Sequence, residues 1–219
     1  MNNLLKRIAT SLILFVLLIT CLFYNDYLLL LLIITISSIS FLEFRNLIKK
    51  IWKRNINKIQ LYNSLSIFYL ILFSYSAFSI GKSSWILALY IISISIMSDI
   101  GGYIVGKYFG GMKLTKISPN KTISGTIGSF VFSLFPLVYV FYKYEYENIF
   151  SLIILTLSLS FISQSGDLFI SYFKRLAKVK DTGKILPGHG GLLDRIDGII
   201  FVIPSAFIIL LILGEAIYS

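Results

Sequence analysis

The chain has very few of the side chains on which most soluble enzymes depend. Only 14% of its 219 residues are charged, whereas soluble domains carry about 25%. It has one cysteine, Cys21, so neither an internal disulfide nor a cysteine-based zinc cluster is possible within one chain. It also has one histidine, and its motifs show no Ser-His-Asp or Cys-His set for nucleophilic catalysis. These absences exclude disulfide-stapled folds and zinc fingers.

Apolar residues are abundant instead, at 57% of the chain with a mean hydropathy of +0.85. Such a chain cannot bury its side chains in one soluble core, so we expect a polytopic membrane protein. Lipid cannot satisfy backbone polar groups, and apolar runs without alternation favour helices, so the predicted class is an all-α transmembrane helix bundle of about seven spans. The seven apolar segments are 8–24, 27–42, 62–80, 85–105, 122–142, 149–170 and 198–217.

Two features of these segments add to the prediction. The second segment is marginal in length for a span. No small-x-small cleavage site follows Lys6 and Arg7, so the first segment is expected to be a retained span and not a signal peptide. Because no repeat, low-complexity tract or soluble domain is visible, residues 1–219 are expected to form a single integral membrane domain.

The basic residues are distributed very unevenly between the predicted loops. With seven spans, eighteen of the twenty Lys and Arg residues fall on one side of the membrane, and only Lys82 and Lys143 fall on the other. The positive-inside rule then predicts that the N-terminus and the polar loops lie on the cytoplasmic side of the cell membrane. This bias explains most of the net charge of +10, so no nucleic-acid partner is expected. The basic stretch 43–60 is predicted to be a loop and is interpreted as a surface for anionic membrane lipids.

Three polar clusters lie on the predicted cytoplasmic side. The first contains Asp99, which would be costly in hydrocarbon and should face the bundle or water; a functional role and a structural ion pair are equally open. Gly102, Gly106 and Gly110 recur at every fourth residue, which is typical of close helix packing. This packing can lie within one chain or between two, so a homodimer is left open.

The second cluster is 117–122. Ser118 followed by Pro119 is typical of a helix N-cap and first turn, so the fifth helix is expected to begin here. Its free N–H groups, the Lys121 ammonium and the hydroxyls of Ser118 and Thr122 would then meet in a candidate anion site. A capped helix with a solvated lysine is the alternative, and these residues alone slightly favour it.

The third cluster, residues 164–197, lies between the last two apolar segments. If the sixth helix continues past the membrane, one of its faces carries four polar residues at helical spacing: Asp167, Ser171, Lys174 and Lys178. Asp194 and Asp197 are spaced as i and i+3 at the predicted start of the seventh helix, where acidic side chains also suit the helix dipole.

Carboxylates at two facing helix ends among several cations also match a site for phosphates and a divalent ion. Mg²⁺ prefers one or two carboxylates together with phosphate oxygens, and Lys and Arg bind the remaining phosphate charge. Gly188, Gly190 and Gly191 would let the backbone bend so that its N–H groups approach a phosphate. His189 is open between a metal ligand and a residue that orders the loop, and the second role is favoured.

The segment from Ser171 to Asp197 resembles the signature of the phosphatidate cytidylyltransferases, also called CDP-diacylglycerol synthases. That pattern is Ser-x-x-Lys-Arg, four residues, Lys-Asp-x-Gly, and then an apolar residue, Pro, x, His-Gly-Gly, two residues and Asp-Arg-x-Asp. Every position is matched, at Ser171, Lys174, Arg175, Lys180, Asp181, Gly183, Leu186, Pro187, His189, Gly190, Gly191, Asp194, Arg195 and Asp197. The resemblance extends back to Ser118–Thr122 and to Asp99, so it covers residues 98–200, whereas residues 1–80 carry no signature. Ser124 stands where the family often has an acidic residue.

The resemblance implies transfer of CMP from CTP to phosphatidate at the cytoplasmic membrane surface, with Mg²⁺ as cofactor and a second cation left open. It implies catalytic residues at Asp167, Asp194, Lys174, Arg175, Lys180, Arg195 and His189. It implies metal ligands at Asp167 and Asp194, followed by Asp197 and Asp181. It implies substrate-binding residues at Ser118, Asn120, Lys121, Thr122, Asp99, Ser171, Gly190 and Gly191.

Three other functions compete with this interpretation. An ion-coupled transporter would use Asp99 and Asp167 as relay groups, but it predicts acids at the bilayer midplane and two matching halves. A lipid kinase that uses CTP would share much of the polar site, and the intact His-Gly-Gly and Asp-Arg-x-Asp spacing argues against it. A non-catalytic lipid-binding scaffold is supported only by the basic stretch 43–60.

Overall fold

A computed structural model of the chain describes residues 3–144, 149–186 and 190–213. These residues are largely helical, and bridge pairing within them is limited to Lys113–Thr122 and Leu186–Gly190. Their helices are α1 (Asn3–Tyr24), α2 (Asp26–Ile51), α3 (Ile56–Ser83), α4 (Trp85–Phe109), α5 (Ile123–Ser133), α6 (Phe135–Tyr144), α7 (Ile149–Leu176), α8 (Leu193–Ile196) and α9 (Ile199–Leu213). The predicted all-α class is therefore confirmed.

Five stretches of helix in the described residues are long and apolar enough to cross a membrane. They are Asp26–Ile51, Ile56–Ser83, Trp85–Phe109, Ile123–Val140 and Ile149–Leu176. Two shorter apolar stretches, Ile13–Tyr24 and Ile199–Ile212, fall in the first and last predicted segments. The chain is thus a polytopic membrane protein, whereas the count of seven spans and the orientation stay predictions.

Helix α2 is longer than the sequence predicts. The prediction of a basic loop over 43–60 is wrong, because α2 continues to Ile51 and α3 begins at Ile56. Leu47 and Ile48 are buried in a core cluster, so the apolar helical periodicity continues beneath the exposed basic side chains. The second predicted span is consequently a helix of 26 residues and is not marginal in length.

Helix α5 begins after the predicted N-cap. The actual N-cap is Thr122, whose side-chain oxygen accepts a hydrogen bond from the Gly125 N–H at 3.1 Å. Ser118 instead opens a tight turn in which its carbonyl accepts the Lys121 N–H at 3.1 Å, with Pro119 in the second position, where proline is favoured. The N-cap prediction at Ser118 is wrong because turns and helix starts prefer the same residue types.

The glycine stripe of α4 is partly a packing surface. A Cβ at Gly102 would lie 2.6 Å from the Ser129 hydroxyl oxygen, and one at Gly106 would lie 3.4 Å from the Gly125 Cα. The packing interpretation is therefore confirmed for these two glycines. A Cβ at Gly110, by contrast, would meet no atom within 4 Å among the described residues, and Gly110 has a φ of +58°. It ends α4 in the left-handed conformation that glycine adopts freely.

Enlarging Gly101 is expected to weaken the contact between α4 and α5. A Cβ there would collide with the Gly128 carbonyl oxygen and lie 2.5 Å from the Phe132 Cβ. Gly101→Leu should therefore lower the thermal unfolding midpoint in detergent, since overpacking costs about 1–3 kcal/mol. Ile100→Leu, at the exposed neighbouring position, should unfold at the wild-type temperature. Equal midpoints for the two variants would contradict this close helix contact.

The predicted final helix is interrupted. Asp194 lies in the short helix α8, Asp197 lies in the turn that follows, and α9 begins at Ile199. The prediction that both carboxylates share one helix is therefore wrong. Gly198 is in this turn, where a Cβ would lie 2.8 Å from the Ser95 hydroxyl oxygen, and glycine is a poor helix former.

The contacts divide the chain into two compact units. The first draws on Met1–Trp85 and Phe173–Ile196, and the second on Ile86–Tyr172 and Asp197–Ser219. The core of the first unit contains Leu47, Ile48 and Phe173, all nearly inaccessible to solvent. The prediction that residues 1–219 form a single domain is not tested by this division and stays a prediction.

In the second unit, α4 and α7 are joined by paired hydroxyl groups. The pairs are Tyr90–Thr156 at 2.5 Å, Ser95–Ser163 at 2.5 Å and Ser98–Ser160 at 3.1 Å. Hydroxyls that face each other across two apolar helices satisfy their hydrogen-bonding capacity without water. This pairing fixes α7 against α4 and so supports the polar residues near the end of α7.

Candidate active site

Asp194 is held by donors on both of its carboxylate oxygens. Lys174 Nζ lies 2.7 Å from Oδ1, and these two side chains are only 13% and 5% exposed. Oδ2 accepts the Thr182 N–H at 2.7 Å, the Thr182 hydroxyl at 3.0 Å and the Gly191 N–H at 3.1 Å. Removing either member of such a buried pair would leave an uncompensated charge. The contacts at both oxygens determine the position of the Asp194 carboxylate, and the carboxylate in turn positions the Lys174 ammonium.

The predicted extension of α7 positions Lys174. The helix continues to Leu176 and ends in a Schellman motif, in which the Val179 N–H bonds to the Lys174 carbonyl at 3.0 Å and the Lys178 N–H to the Arg175 carbonyl at 3.0 Å. Lys178 has a φ of 55°. The prediction that Lys178 shares the helix face is therefore wrong, because the motif places it beyond the helix.

Glu43 of α2 contacts the same segment of chain. Its Oε1 accepts the Leu192 N–H at 3.1 Å, and its Oε2 accepts the Leu193 N–H at 2.9 Å and the Thr182 hydroxyl at 2.8 Å. The residue is only 3% exposed. The Thr182 hydroxyl thus lies between the carboxylates of Glu43 and Asp194.

Glycines of the signature surround this network. A Cβ at Gly183 would lie 2.8 Å from the Glu43 Cδ, and a Cβ at Gly191 would lie 2.5 Å from its Oε2. Gly190 has a φ of +89°, and its N–H donates to the Leu186 carbonyl at 3.2 Å. The predicted bent backbone is confirmed at Gly190, whereas phosphate binding by Gly190 and Gly191 stays a prediction.

The second unit holds another pair of predicted site residues. Lys121 Nζ, from the loop before α5, lies 2.5 Å from Asp167 Oδ2, and the two side chains are 28% and 23% exposed. The Ser171 hydroxyl donates to Asp167 Oδ1 at 3.3 Å, one turn along α7. Sequence spacing predicted that Asp167 and Ser171 share a helix face, and this contact confirms it.

The remaining predicted residues are less enclosed or lie elsewhere. Those on the surface are Asp99, Asn120, Arg175, Lys180, Asp181 and Arg195. Ser118 and Thr122 are half-buried in the loop before α5. Asp197 is 8% exposed and its Oδ1 accepts the Gly198 N–H at 3.0 Å. Pro187, Gly188 and His189 lie outside the described residues, so the predicted roles of His189 stay predictions.

Asp167 and Asp194 offer the oxygen donors that Mg²⁺ prefers. Asp194 has donors at both oxygens, Lys174 at Oδ1 and Thr182 and Gly191 at Oδ2, so an ion bound here would share the carboxylate with the Lys174 ammonium. Among residues 3–144, 149–186 and 190–213, no three His, Cys, Asp or Glu side chains form a metal-binding group. Mg²⁺ usually takes only one or two carboxylates and its other ligands from phosphate and water, so each of these carboxylates could by itself serve as one ligand.

Each of these two carboxylates is paired with a lysine. A carboxylate that orients an ammonium group prepares that ammonium to bind phosphate without a further ordering cost. Each pair can by itself neutralise phosphate charge within its own unit.

Sequence reasoning missed Glu43 and Thr182. Thr182 occupies an unspecified position of the signature, which carries no signal. Glu43 did carry a signal, because no other acidic residue lies between Asp26 and Asp99, and a buried carboxylate needs donors to compensate for its lost hydration. Its partners could not be predicted, since they lie 139 to 150 residues away along the chain.

Comparison with known proteins agrees with these motifs. A model described as the cytidylyltransferase family matches residues 52–213. The phosphatidate cytidylyltransferase of Staphylococcus haemolyticus is 47% identical over 125 residues, which cover 56% of this chain and 48% of that protein. The Staphylococcus epidermidis protein of the same name is 48% identical over 117 residues, covering 52% of this chain and 45% of that protein. The chain spans about half the length of the curated relatives it matches.

Proposed function

The chain belongs to the cytidylyltransferase family, and we propose on this premise that it transfers the CMP group of CTP to phosphatidate. The products are CDP-diacylglycerol and pyrophosphate. The names of the staphylococcal relatives support this substrate pair. The observation that carries the proposal is the buried Lys174–Asp194 pair, because it joins two widely separated parts of the signature into a preorganised group suited to phosphate chemistry.

The reaction joins two anions and needs no strong base. A phosphate oxygen of phosphatidate attacks the α-phosphorus of CTP, a new P–O–P linkage forms, and the bond from the α-phosphorus to the bridging oxygen breaks as pyrophosphate leaves. The attacking phosphate is already an anion near neutral pH. What the protein must supply is charge neutralisation and in-line positioning. Lys174 and Lys121, each oriented by a carboxylate, supply positive charge for this purpose.

The roles proposed for further residues come from the resemblance to the family signature. Arg175, Lys180 and Arg195 are exposed cations that would bind the outer phosphates of CTP. Asn120 and Thr122 would contact the substrate phosphates from the loop that carries Lys121. Mg²⁺, when bound, would supply charge neutralisation on the phosphate oxygens. Asp194 of the first unit is proposed as a ligand, and Asp167 of the second unit is proposed as a ligand on the resemblance alone.

We place the reaction at the cytoplasmic surface of the cell membrane. Helices long and apolar enough to span it support a membrane location, and the uneven distribution of Lys and Arg supports the orientation. At this surface, the acyl chains of phosphatidate can remain in the bilayer while CTP approaches from water. Gly102 and Gly106 of the small-residue stripe in α4 pack against the same chain, so the stripe does not support a homodimer.

A labelling experiment tests the proposed function. Membranes that contain the protein are incubated with phosphatidate, Mg²⁺ and CTP labelled either in the cytosine ring or at the γ-phosphate. We expect the ring label, and not the γ label, to enter the lipid phase, and chelation of Mg²⁺ to prevent this. Entry of the γ label alone would show a lipid kinase instead, and entry of neither label would contradict both functions.

A further inference from the structure

Glu43 is a buried acid to which the signature assigns no role. It lies on α2, before residue 52, where the family match begins. Its neighbours in sequence are apolar, and it is only 3% exposed. A carboxylate is expensive to bury unless its hydrogen bonds are satisfied, so its contacts explain how it is tolerated.

The contacts place the backbone that carries Asp194. Glu43 accepts hydrogen bonds from the N–H groups of Leu192 and Leu193, at 3.1 and 2.9 Å. Two bonds from consecutive peptide units determine both the position and the orientation of that backbone. Asp194 is the next residue, so Glu43 anchors the start of α8 at the point where the carboxylate of Asp194 projects.

A second connection runs through Thr182. Its hydroxyl lies 2.8 Å from Glu43 Oε2 and 3.0 Å from Asp194 Oδ2, and its N–H donates to the same Asp194 oxygen at 2.7 Å. One hydroxyl has one proton to donate, so the carboxylates of Glu43 and Asp194 compete for the proton of Thr182. Loss of the Glu43 carboxylate would therefore change the hydrogen bonding of Asp194 directly.

The surrounding glycines show that the space is shaped around the Glu43 carboxylate. Gly183 and Gly191 both approach it so closely that a Cβ at either position would overlap the carboxylate or the Thr182 hydroxyl. Both glycines belong to the signature, whereas Glu43 lies outside it. The carboxylate of Glu43 thus gives a physical reason for the small residue at two signature positions.

We infer that Glu43 is a positioning residue for the transferase reaction. Its carboxylate aligns Thr182 and the backbone of Leu192 and Leu193, so that Asp194 holds the Lys174 ammonium in the orientation that phosphate binding requires. The inference rests on the proposed function, and it extends the functional site to a helix from the part of the chain that carries no signature.

The test compares Glu43→Gln with wild type in purified form. Glutamine keeps the length of the side chain but offers one acceptor oxygen, and its NH₂ group faces a backbone N–H donor. We expect kcat/KM for CTP to fall by about 10- to 100-fold, the range seen when groups that orient metal-site ligands are removed, with KM for CTP raised. Asp26→Asn, an exposed acid on the same helix, should keep wild-type kinetics.

KM separates a positioning role from a purely structural one. A residue that only stabilises the fold would reduce the amount of folded protein but leave KM and the turnover per folded molecule at wild-type values. The connection through Thr182 adds a second readout: the loss caused by Glu43→Gln should be smaller in a Thr182→Val background than alone, because part of its effect passes through that hydroxyl. Unchanged kinetics per folded molecule in Glu43→Gln would overturn the inference.

If Glu43→Gln does not accumulate as folded protein, Thr182 carries the test. Thr182→Ser keeps the hydroxyl and should retain wild-type KM, whereas Thr182→Val should raise it; equal KM values in the two variants would overturn the inference. A wild-type chain that forms no CDP-diacylglycerol overturns the proposed function and this inference together. Activity in wild type beside normal kinetics in Glu43→Gln overturns the inference alone.

Discussion

Replacing Asp194 with Asn is expected to reduce CDP-diacylglycerol formation by at least about 100-fold, the scale of losing a group that stabilises charge in the transition state. Asparagine keeps the shape of the side chain but removes the negative charge that orients Lys174, 2.7 Å away. It also sets an NH₂ group either against the Lys174 ammonium or against the N–H donors of Thr182 and Gly191. The check is the turnover of purified protein with saturating CTP, phosphatidate and Mg²⁺.

The stability of Asp194→Asn should fall as well, because the Lys174 ammonium would remain buried without its partner, a change that costs about 3–5 kcal/mol in proteins. Turnover must therefore be expressed per folded molecule. Asp26→Asn, at an exposed position of α2, is the matched control and should behave as wild type in both measurements. Near-normal turnover in folded Asp194→Asn would remove the central residue of the proposed site.

Asp167→Asn is expected to reduce turnover while leaving the stability of the protein almost unchanged. The Asp167–Lys121 pair is short, at 2.5 Å, but both side chains remain partly exposed, at 23% and 28%. Exposed pairs contribute only about 0–1 kcal/mol to stability, so the unfolding midpoint should barely change. Turnover should nevertheless fall by about 100-fold, since the carboxylate and the ammonium it orients are both proposed to act on phosphate charge.

Lys121→Met tests the other member of this pair. It should lower turnover to a similar extent and raise KM for CTP, and it should also leave the unfolding midpoint almost unchanged. Lys116→Met removes an exposed lysine from the same loop and serves as the control, with wild-type kinetics expected. If Asp167→Asn and Lys121→Met both turn over normally with Mg²⁺, the pair is only a surface contact.

Much of the fold could be predicted because its determinants are local. Long apolar runs specify helices in any membrane environment, and this was enough to find α3, α4 and α7. Helical spacing predicted that Asp167, Ser171 and Lys174 share one face if α7 continues past residue 170, and the helix does continue to Leu176. Where prediction failed, local signals were ambiguous. The lysines of α2 favoured a loop because a run of charged residues is typical of loops. The apolar spacing of Leu47 and Ile48, which are buried, was the competing signal for a helix.

The candidate site was harder to predict because its contacts are long-range. The signature contains Lys174 and Asp194, yet nothing in their spacing shows that they pair across 20 residues of chain. The loop before α5 offered an anion site at a helix N-terminus, and the structure instead brings Lys121 to Asp167. Glu43 lies farther still from its partners. Such pairings depend on how helices pack, which composition and periodicity do not encode.

The most direct test of the central claim uses the purified chain in vesicles that contain phosphatidate. With CTP and Mg²⁺ supplied, pyrophosphate release and formation of CDP-diacylglycerol are measured in the same sample. If the chain transfers CMP to phosphatidate, the two products appear in equal amounts, and neither forms when phosphatidate is replaced by a neutral diacylglycerol. Asp194→Asn should form both at least about 100-fold more slowly. Cytidine-free phosphorylated lipid, or pyrophosphate release that does not require phosphatidate, would contradict CMP transfer to phosphatidate as the function of this protein.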